Sequence, residues 1–236
     1  MRSANPIVAR CEERPGTHGH HRAPCFATPQ RQQACDIATR LFTMSPVHAM
    51  ERSYGAIKEM LRKGQVASGV RLEANVLAQE LGVSMTPVRD ALHRLVGERL
   101  VEGTSGEGFR VPRYSEANLR NLYEWNAALM ILSARTVDIS PALHATGGGL
   151  PLADRFSGLV ERIARLDFSR EISVALLNTS DRLQPFRIAE CSVFGDLARE
   201  LDTLEATTSG IVNTLRLLHA RRIRAVAKIL HQRDKP

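Results

Sequence analysis

Residues 76–100 read VLAQELGVSMTPVRDALHRLVGERL, two short apolar-striped segments separated by Leu81-Gly82-Val83-Ser84. The spacing predicts a helix over residues 74–81 with Leu77, Ala78 and Leu81 on its buried side. Gly82 suits the left-handed residue that ends many helices, Ser84 suits an N-cap, and Pro87 falls in a first turn, where its missing N–H costs little. The helix that follows carries Val88, Ala91, Leu92 and Leu95 on one face, with Met85, Arg89 and His93 on or near the other. Two helices joined through so short a turn form a helix-turn-helix, and few other folds suit that punctuation.

The flanking segments extend the pattern. Tyr54, Ile57, Met60 and Leu61 recur at helical spacing, which predicts a preceding helix over residues 50–63. Downstream, Leu100-Val101-Glu102 and Phe109-Arg110-Val111 read as two short strands around a glycine-rich tip at 103–108, a wing. The Gly-x-Gly in that tip follows no long parallel strand and opens no helix, so it is not a phosphate loop. A helix in this setting fits the major groove of double-stranded DNA, with its N-terminal residues at base edges and the wing near phosphates. Arg89, one turn in, is the residue suited to bidentate contact with guanine. Ser84 and Thr86 offer hydroxyls for phosphate or base contacts, Ser84 equally as a plain N-cap. His93 and Arg94 are placed either to touch the DNA backbone or to remain solvated.

The chain has 236 residues, 43% hydrophobic, enough for two modest domains. No stretch has the roughly 18 uncharged apolar residues of a membrane span, and the first 30 residues hold no signal-peptide core. A cytoplasmic protein, at the nucleoid when on DNA, is expected, with no membrane partner. The formal charge of +7 permits nucleic-acid contact without demanding it, because the excess is spread over the chain. Residues 1–45 combine Pro and Gly breaks with no sustained periodicity, and are expected to be a disordered extension, with Met44 or Met50 as alternative starts. Cys11, Cys25 and Cys35 lie there with His18, His20 and His21, but no C-x(2–4)-C pair marks a structural zinc site. Cys191, in an apolar helical context, reads as a small core residue rather than a nucleophile.

The remaining chain is helical in pattern. Leu119, Leu122, Tyr123, Leu129 and Leu132 fit one stripe; Leu152, Phe156, Leu159, Val160, Ile163 and Leu166 fit another, after a linking loop at 144–151. Leu197, Leu201, Leu204, Ile211, Leu215 and Leu218 predict one long helix or two joined near Ser209-Gly210, and residues 223–230 a further one. The expected fold class is mostly α: an N-terminal winged helix-turn-helix domain over 46–113 and a C-terminal antiparallel helical bundle over 114–236.

The helix-turn-helix resembles the GntR family of bacterial winged-helix transcription regulators, whose signature is LA-x-x-LGVS-x-TPVR-x-AL-x-x-L-x-x-x-x-LV. The match runs from Leu77-Ala78 through Leu81-Gly82-Val83-Ser84, Thr86-Pro87-Val88-Arg89, Ala91-Leu92 and Leu95 to Leu100-Val101, and continues through Gly106, Gly108 and Val111. The resemblance places DNA-contacting roles on Asn75, Ser84, Met85, Thr86 and Arg89, and on Ser105 and Gly106 at the wing tip. Met85 departs from it, since the family usually has Arg there.

The second half resembles the helical effector-binding and dimerising domain of the FadR-like subfamily, through Leu122-Tyr123-Glu124-Trp125-Asn126-Ala127-Ala128-Leu129 and, more weakly, Asp181-Arg182-Leu183-Gln184-Pro185. That resemblance implies an effector pocket that includes Tyr123, Asn126, Met130 and Asp181. Members commonly hold a divalent metal through one Asp and three His, with an Arg on the first helix helping to hold an acidic effector. Here Asn126 replaces that Arg, Met130 the following Glu, and Pro185 the His four residues after Asp181. Ile223 falls at the next His position, and Pro236 comes near where the last helix, with the third His, begins, as if truncated. His219 and His231 lie nearby in sequence but out of register. A lone Asp without imidazoles is a poor transition-metal site, so no metal and no cofactor is expected.

These readings predict a sequence-specific transcription regulator, a repressor, that binds a near-palindromic DNA operator as a homodimer, with a possible small-molecule effector that is neutral or apolar rather than a carboxylate. Two alternatives stand beside it. One is a constitutive DNA-binding or interaction protein with a degenerate sensor. The other is a winged helix fused to an enzyme, although residues 114–236 show no nucleophile motif, metal cluster or phosphate loop.

Overall fold

Helix α1 (Pro46–Arg62) starts four residues before the periodicity suggested, with Pro46 at its first position, where the ring's fixed φ favours a helix start. Ile57 and Leu61 point inward from it onto helices α2 (Ala74–Leu81) and α3 (Met85–Gly97). Val88, Ala91, Leu92 and Leu95 on α3 are all fully buried, as their spacing requires. The computed structural model describes residues 46–104, 106, 108–144, 149–166 and 169–235. The extension at 1–45, with its cysteines and histidines, and Ser105 of the wing tip lie outside the described residues.

The wing departs from the expected hairpin. Strands β1 (Arg71–Leu72), β2 (Glu102–Thr104) and β3 (Gly108–Arg110) form a three-stranded antiparallel sheet in the order β1-β3-β2. Leu72 and Gly103 both pair with Phe109, whose ring is buried against the three-helix core. Leu100, Val101 and Val111 are buried as apolar residues of the same core but lie outside the strands.

Helices α2 and α3 end in the same way on different residues. At α2, Gly82 adopts φ 64°, its N–H donating to Gln79 O and that of Val83 to Ala78 O. At α3, Arg99 adopts φ 58°, with Arg99 N–H donating to Val96 O and Leu100 N–H to Leu95 O. Both are the left-handed ending that satisfies the last carbonyls and that glycine fills without penalty. Among the described residues Arg99 is the one non-glycine with positive φ. An L-residue there costs about 1–2 kcal/mol, partly offset by the extra unfolded-state freedom of glycine. Arg99→Gly is therefore expected to raise stability by roughly 0.5–1 kcal/mol in chemical unfolding; a lower midpoint would contradict this.

The second half comprises α4 (Glu116–Thr136), α5 (Ser140–His144), α6 (Leu152–Leu166), α7 (Arg170–Val193), α8 (Leu197–Glu205), α9 (Ile211–Arg224) and α10 (Val226–Arg233). Ser115 caps α4, its hydroxyl accepting from Asn118 N–H at 3.1 Å. Helix α7 is the hub, against which α4, α6 and α10 pack. It runs through Pro185, so the chain accommodates the ring inside a continuous helix rather than ending there. The 197–218 pattern resolves into two helices, α8 and α9, with Gly210 at φ 71° opening the second. Ile223 belongs to α9 rather than to the last helix, because the chain breaks at Ala225. Leu132, expected inside, is exposed, and Ser133 is buried in its stead; Cys191 is exposed rather than core. Among the described residues no helix is long and apolar enough to cross a membrane.

The two halves meet through polar groups. Asp181 of α7 accepts Lys58 Nζ at 2.7 Å and lies 3.2 Å from Arg62 Nε, both on α1. Lys58 also reaches Glu98 at 3.0 Å, Tyr54 donates its hydroxyl to Glu98 at 2.8 Å, and Asn178 Nδ2 donates to the Glu98 carbonyl at 2.7 Å. The carboxylates hold the Lys58 ammonium charged, well above its usual range, although half-burial alone would lower it.

Candidate nucleic-acid interface

Helix α3 offers two faces of opposite character. Packing of Val88, Ala91, Leu92 and Leu95, spaced i, i+3, i+4 and i+7, fixes its rotation, so Met85, Thr86, Arg89 and His93 on the other side are all exposed. Ser84 stands at the N-cap with extended backbone, but its side chain makes no capping bond and stays available. Arg89 has no carboxylate within ion-pair distance among the described residues, leaving its guanidinium fork open. Asn75 is exposed in the first turn of α2. Gly106, at φ 85°, turns the wing tip.

His93 is more than a solvated side chain. Its ring meets Phe109 edge-on, centroids 4.9 Å apart, so it ties α3 to the middle strand of the wing. Arg94 faces the other way, 2.9 Å from Glu51 and stacked 3.9 Å over the Tyr54 ring, which removes it from the DNA-facing surface. Sequence patterning missed Arg71. It sits on β1, largely exposed beside Gly108 of the wing, where it pairs with Glu73 at 3.0 Å. A two-residue strand has no periodicity to read, and only its pairing with β3 locates it.

The residues assigned to an effector pocket divide. Tyr123, Asn126 and Met130 share one buried stripe of α4, while Asp181 is turned to Lys58 and Arg62. Tyr123 donates its hydroxyl to Glu190 Oε1 at 2.6 Å; burial, then Glu190, push that phenol well above its ordinary range. The other Glu190 oxygen accepts Arg222 Nε at 2.9 Å, and Arg222 also holds Glu200 at 2.7 Å. Arg187, wholly buried over the Phe156 ring, donates to Ser157 Oγ at 2.9 Å and Ser180 Oγ at 2.7 Å, and burial lowers its pKa to about 10. Beside these groups the space left is about 10 Å³, room for roughly one water.

His219 completes this polar centre. Nδ1 lies 2.8 Å from Leu215 O and Nε2 lies 3.0 Å from the Asn126 carboxamide. Burial, followed by the Arg222 and Arg187 charges, lowers its pKa to about 4, so the ring is neutral and carries one proton. That proton belongs on Nδ1, whose only neighbour of the two is an obligate acceptor, and Nε2 must then accept. Asn126 Oδ1 is the atom placed at Nε2; exchanging the carboxamide O and N by a half-turn brings Nδ2 there instead and gives an acceptor to a buried nitrogen otherwise without one.

A metal does not fit this chain in the manner of the FadR-like subfamily. Asp181 is engaged by two cations, Pro185 offers no ligand, and both His219 nitrogens are spoken for. Among the described residues no three His, Cys, Asp or Glu side chains are gathered to hold an ion.

A winged helix-turn-helix carried on a helical bundle, with an open arginine on the exposed helix face, defines the class of DNA-binding transcription regulators. The profile of bacterial regulatory proteins of the gntR family matches residues 50–111, so that stretch of the chain is a GntR-family helix-turn-helix domain. It is 32% identical over 87 residues to the HTH-type transcriptional regulator McbR of Escherichia coli K12, an alignment spanning 36% of this chain and 39% of that relative. Among solved structures, one named for a GntR transcriptional regulator from Rhodococcus sp. RHA1 superposes with a TM-score of 0.55 at 20% identity, covering 77% of this chain and 97% of that one. E. coli McbR/YncC superposes with a TM-score of 0.55 at 19% identity, covering 76% and 97%. At such identity the superpositions establish the fold.

Proposed function

We propose that the chain is a sequence-specific transcription regulator that reads double-stranded DNA as a homodimer on a near-palindromic operator, under control of a small-molecule effector acting on its helical half. The single observation that carries the DNA reading is the exposed face of α3, where Arg89 stands unpaired beside Ser84 and Thr86 on a helix whose rotation the core fixes. Asn75, Ser105 and Gly106 are assigned to flanking contacts, and His93 to bracing the wing. Met85 supplies apolar contact where a cation would have met phosphate or a base acceptor, favouring a thymine methyl nearby. Two-fold pairing of such domains sets half-sites about one helical turn apart.

Selection of bound sequences from random duplexes, followed by gel-shift titration, tests the reading. Arg89→Ala is expected to weaken specific binding by roughly 10- to 100-fold, the equivalent of about 1–3 kcal/mol for a bidentate base contact. The exposed position predicts unchanged helicity and melting. Unaltered operator affinity would refute the role of Arg89.

A second reading is favoured by the closed interior of the bundle. With Tyr123, Asn126, Arg187 and His219 bonded to neighbours and about 10 Å³ beside Arg187, Glu190 and Arg222, the centre is built as a packed polar core. On this reading the helical half is a constitutive dimerisation module.

A further inference from the structure

The arginine that ends α3 in a glycine-favouring conformation opens onto a groove of about 840 Å³ between the winged helix and the bundle, within the size range of small-molecule sites. Arg99 at the end of α3 and Arg182 on α7 line it, with Asn118, Asn121 and Trp125 along α4; Arg113 of the connector also borders it, but its guanidinium lies against Gly69. Some arginines elsewhere are matched to acids, among them Arg94 to Glu51, Arg155 to Glu205, Arg221 to Asp196 and Arg222 to Glu190. Among the described residues none of the three groove arginines has a carboxylate within ion-pair distance, and Arg182 has only the Tyr114 hydroxyl, at 3.3 Å. Glu102 is the single acid of the lining, so the groove is net positive. Trp125 is 52% exposed, a large apolar ring left facing this space.

We propose that this groove binds a planar aromatic molecule bearing an anionic group, carboxylate or phosphate. The guanidinium forks match either oxyanion in bidentate fashion, the Trp125 ring stacks on the ligand's π-face, and the two asparagine amides meet its polar edge. Arginine occupies the left-handed position 99, where glycine is favoured, so the turn itself gives no reason for its side chain. The groove lies at the C-terminal end of α3, about 15 Å along the helix from Arg89, and is bordered on one side by Glu102 and Gly103 of wing strand β2. A ligand here touches both halves at once, which deepens the effector reading above and moves its site from the closed bundle to the joint.

Trp125 is the chain's one tryptophan, so its fluorescence reports on the groove directly. The full chain, without DNA, is titrated with adenosine monophosphate, with isophthalate, and with adenosine as the neutral counterpart. Saturable quenching by either anion is expected, the nucleotide indicating a phosphate site and isophthalate a carboxylate site, with adenosine at least about tenfold weaker. Arg99→Gly, which relieves the turn and keeps the fold, is expected to weaken the anion about tenfold. Absence of saturation with both anions, equal affinity for adenosine, or an unchanged dissociation constant in Arg99→Gly with melting no lower than the parent's would each overturn the proposal. Because no DNA is present, any of these leaves the DNA-binding reading to its own gel-shift test.

Discussion

Glu190→Ala is expected to destabilise the helical half strongly. It removes the acceptor of the Tyr123 hydroxyl and one counter-charge of Arg222, both almost wholly buried. Leaving a buried cation uncompensated costs about 3–5 kcal/mol. Glu200 stays on the far side of the guanidinium at 2.7 Å and is partly exposed, so the lower end of that range applies, about 3 kcal/mol. Against a total of about 5–15 kcal/mol for a native domain, that shift is large. Glu190→Gln keeps the shape and an acceptor for Tyr123 and should lie between the parent and the alanine variant. Urea unfolding of the three proteins reads the order directly, and a loss under about 1 kcal/mol for the alanine variant would show that the pair is not the strut described.

Acid should act through His219. Its folded-state pKa is about 4 against 6.5 for the free side chain. Above pH 6.5 both states hold a neutral ring and the group leaves stability unaffected. As pH falls from 6.5 to about 4, the unfolded chain takes up a proton that the folded chain refuses, so stability declines across that window. In full the loss amounts to about 3 kcal/mol. Carboxylates titrate in the same range, and a comparison isolates the histidine: His219→Gln, which has a carboxamide and no titrating ring, should show a shallower fall of unfolding free energy between pH 6.5 and 4. Parallel pH profiles for the two proteins would rule out the buried neutral imidazole.

The winged helix was the most legible part of the chain. Its signals are local: Gly82 ends one helix, Pro87 and Ser84 begin the next, and Val88, Ala91, Leu92 and Leu95 need only a 3.6-residue period to be placed inside. The GntR resemblance added the match that the family profile bears out over residues 50–111. What escaped was decided by partners distant in sequence. Arg71 and Leu72 are a strand only because Arg110 and Phe109 pair with them. Asp181 was assigned to a pocket by its place in a motif, yet its neighbours are Lys58 and Arg62, more than a hundred residues earlier. Leu132 and Ser133 exchanged the expected burial because α4 turns a narrow polar-containing stripe, Tyr123, Asn126, Met130 and Ser133, toward α7 and α9. Arg99 carried no signal as a sequence letter; its meaning came from the dihedral angle and the groove.

The joint through Lys58, Arg62, Glu98 and Asp181 has a consequence for how the molecule responds to its medium. Each half is held by apolar burial, which ordinary salt leaves nearly untouched, whereas the contact between them is written in charge, with side chains roughly a fifth exposed. The screening length is about 10 Å at 0.1 M ionic strength and about 3 Å at 1 M, so concentrated electrolyte loosens this contact before it troubles either core. Raising ionic strength is therefore expected to weaken this contact more than it weakens the apolar packing inside either half.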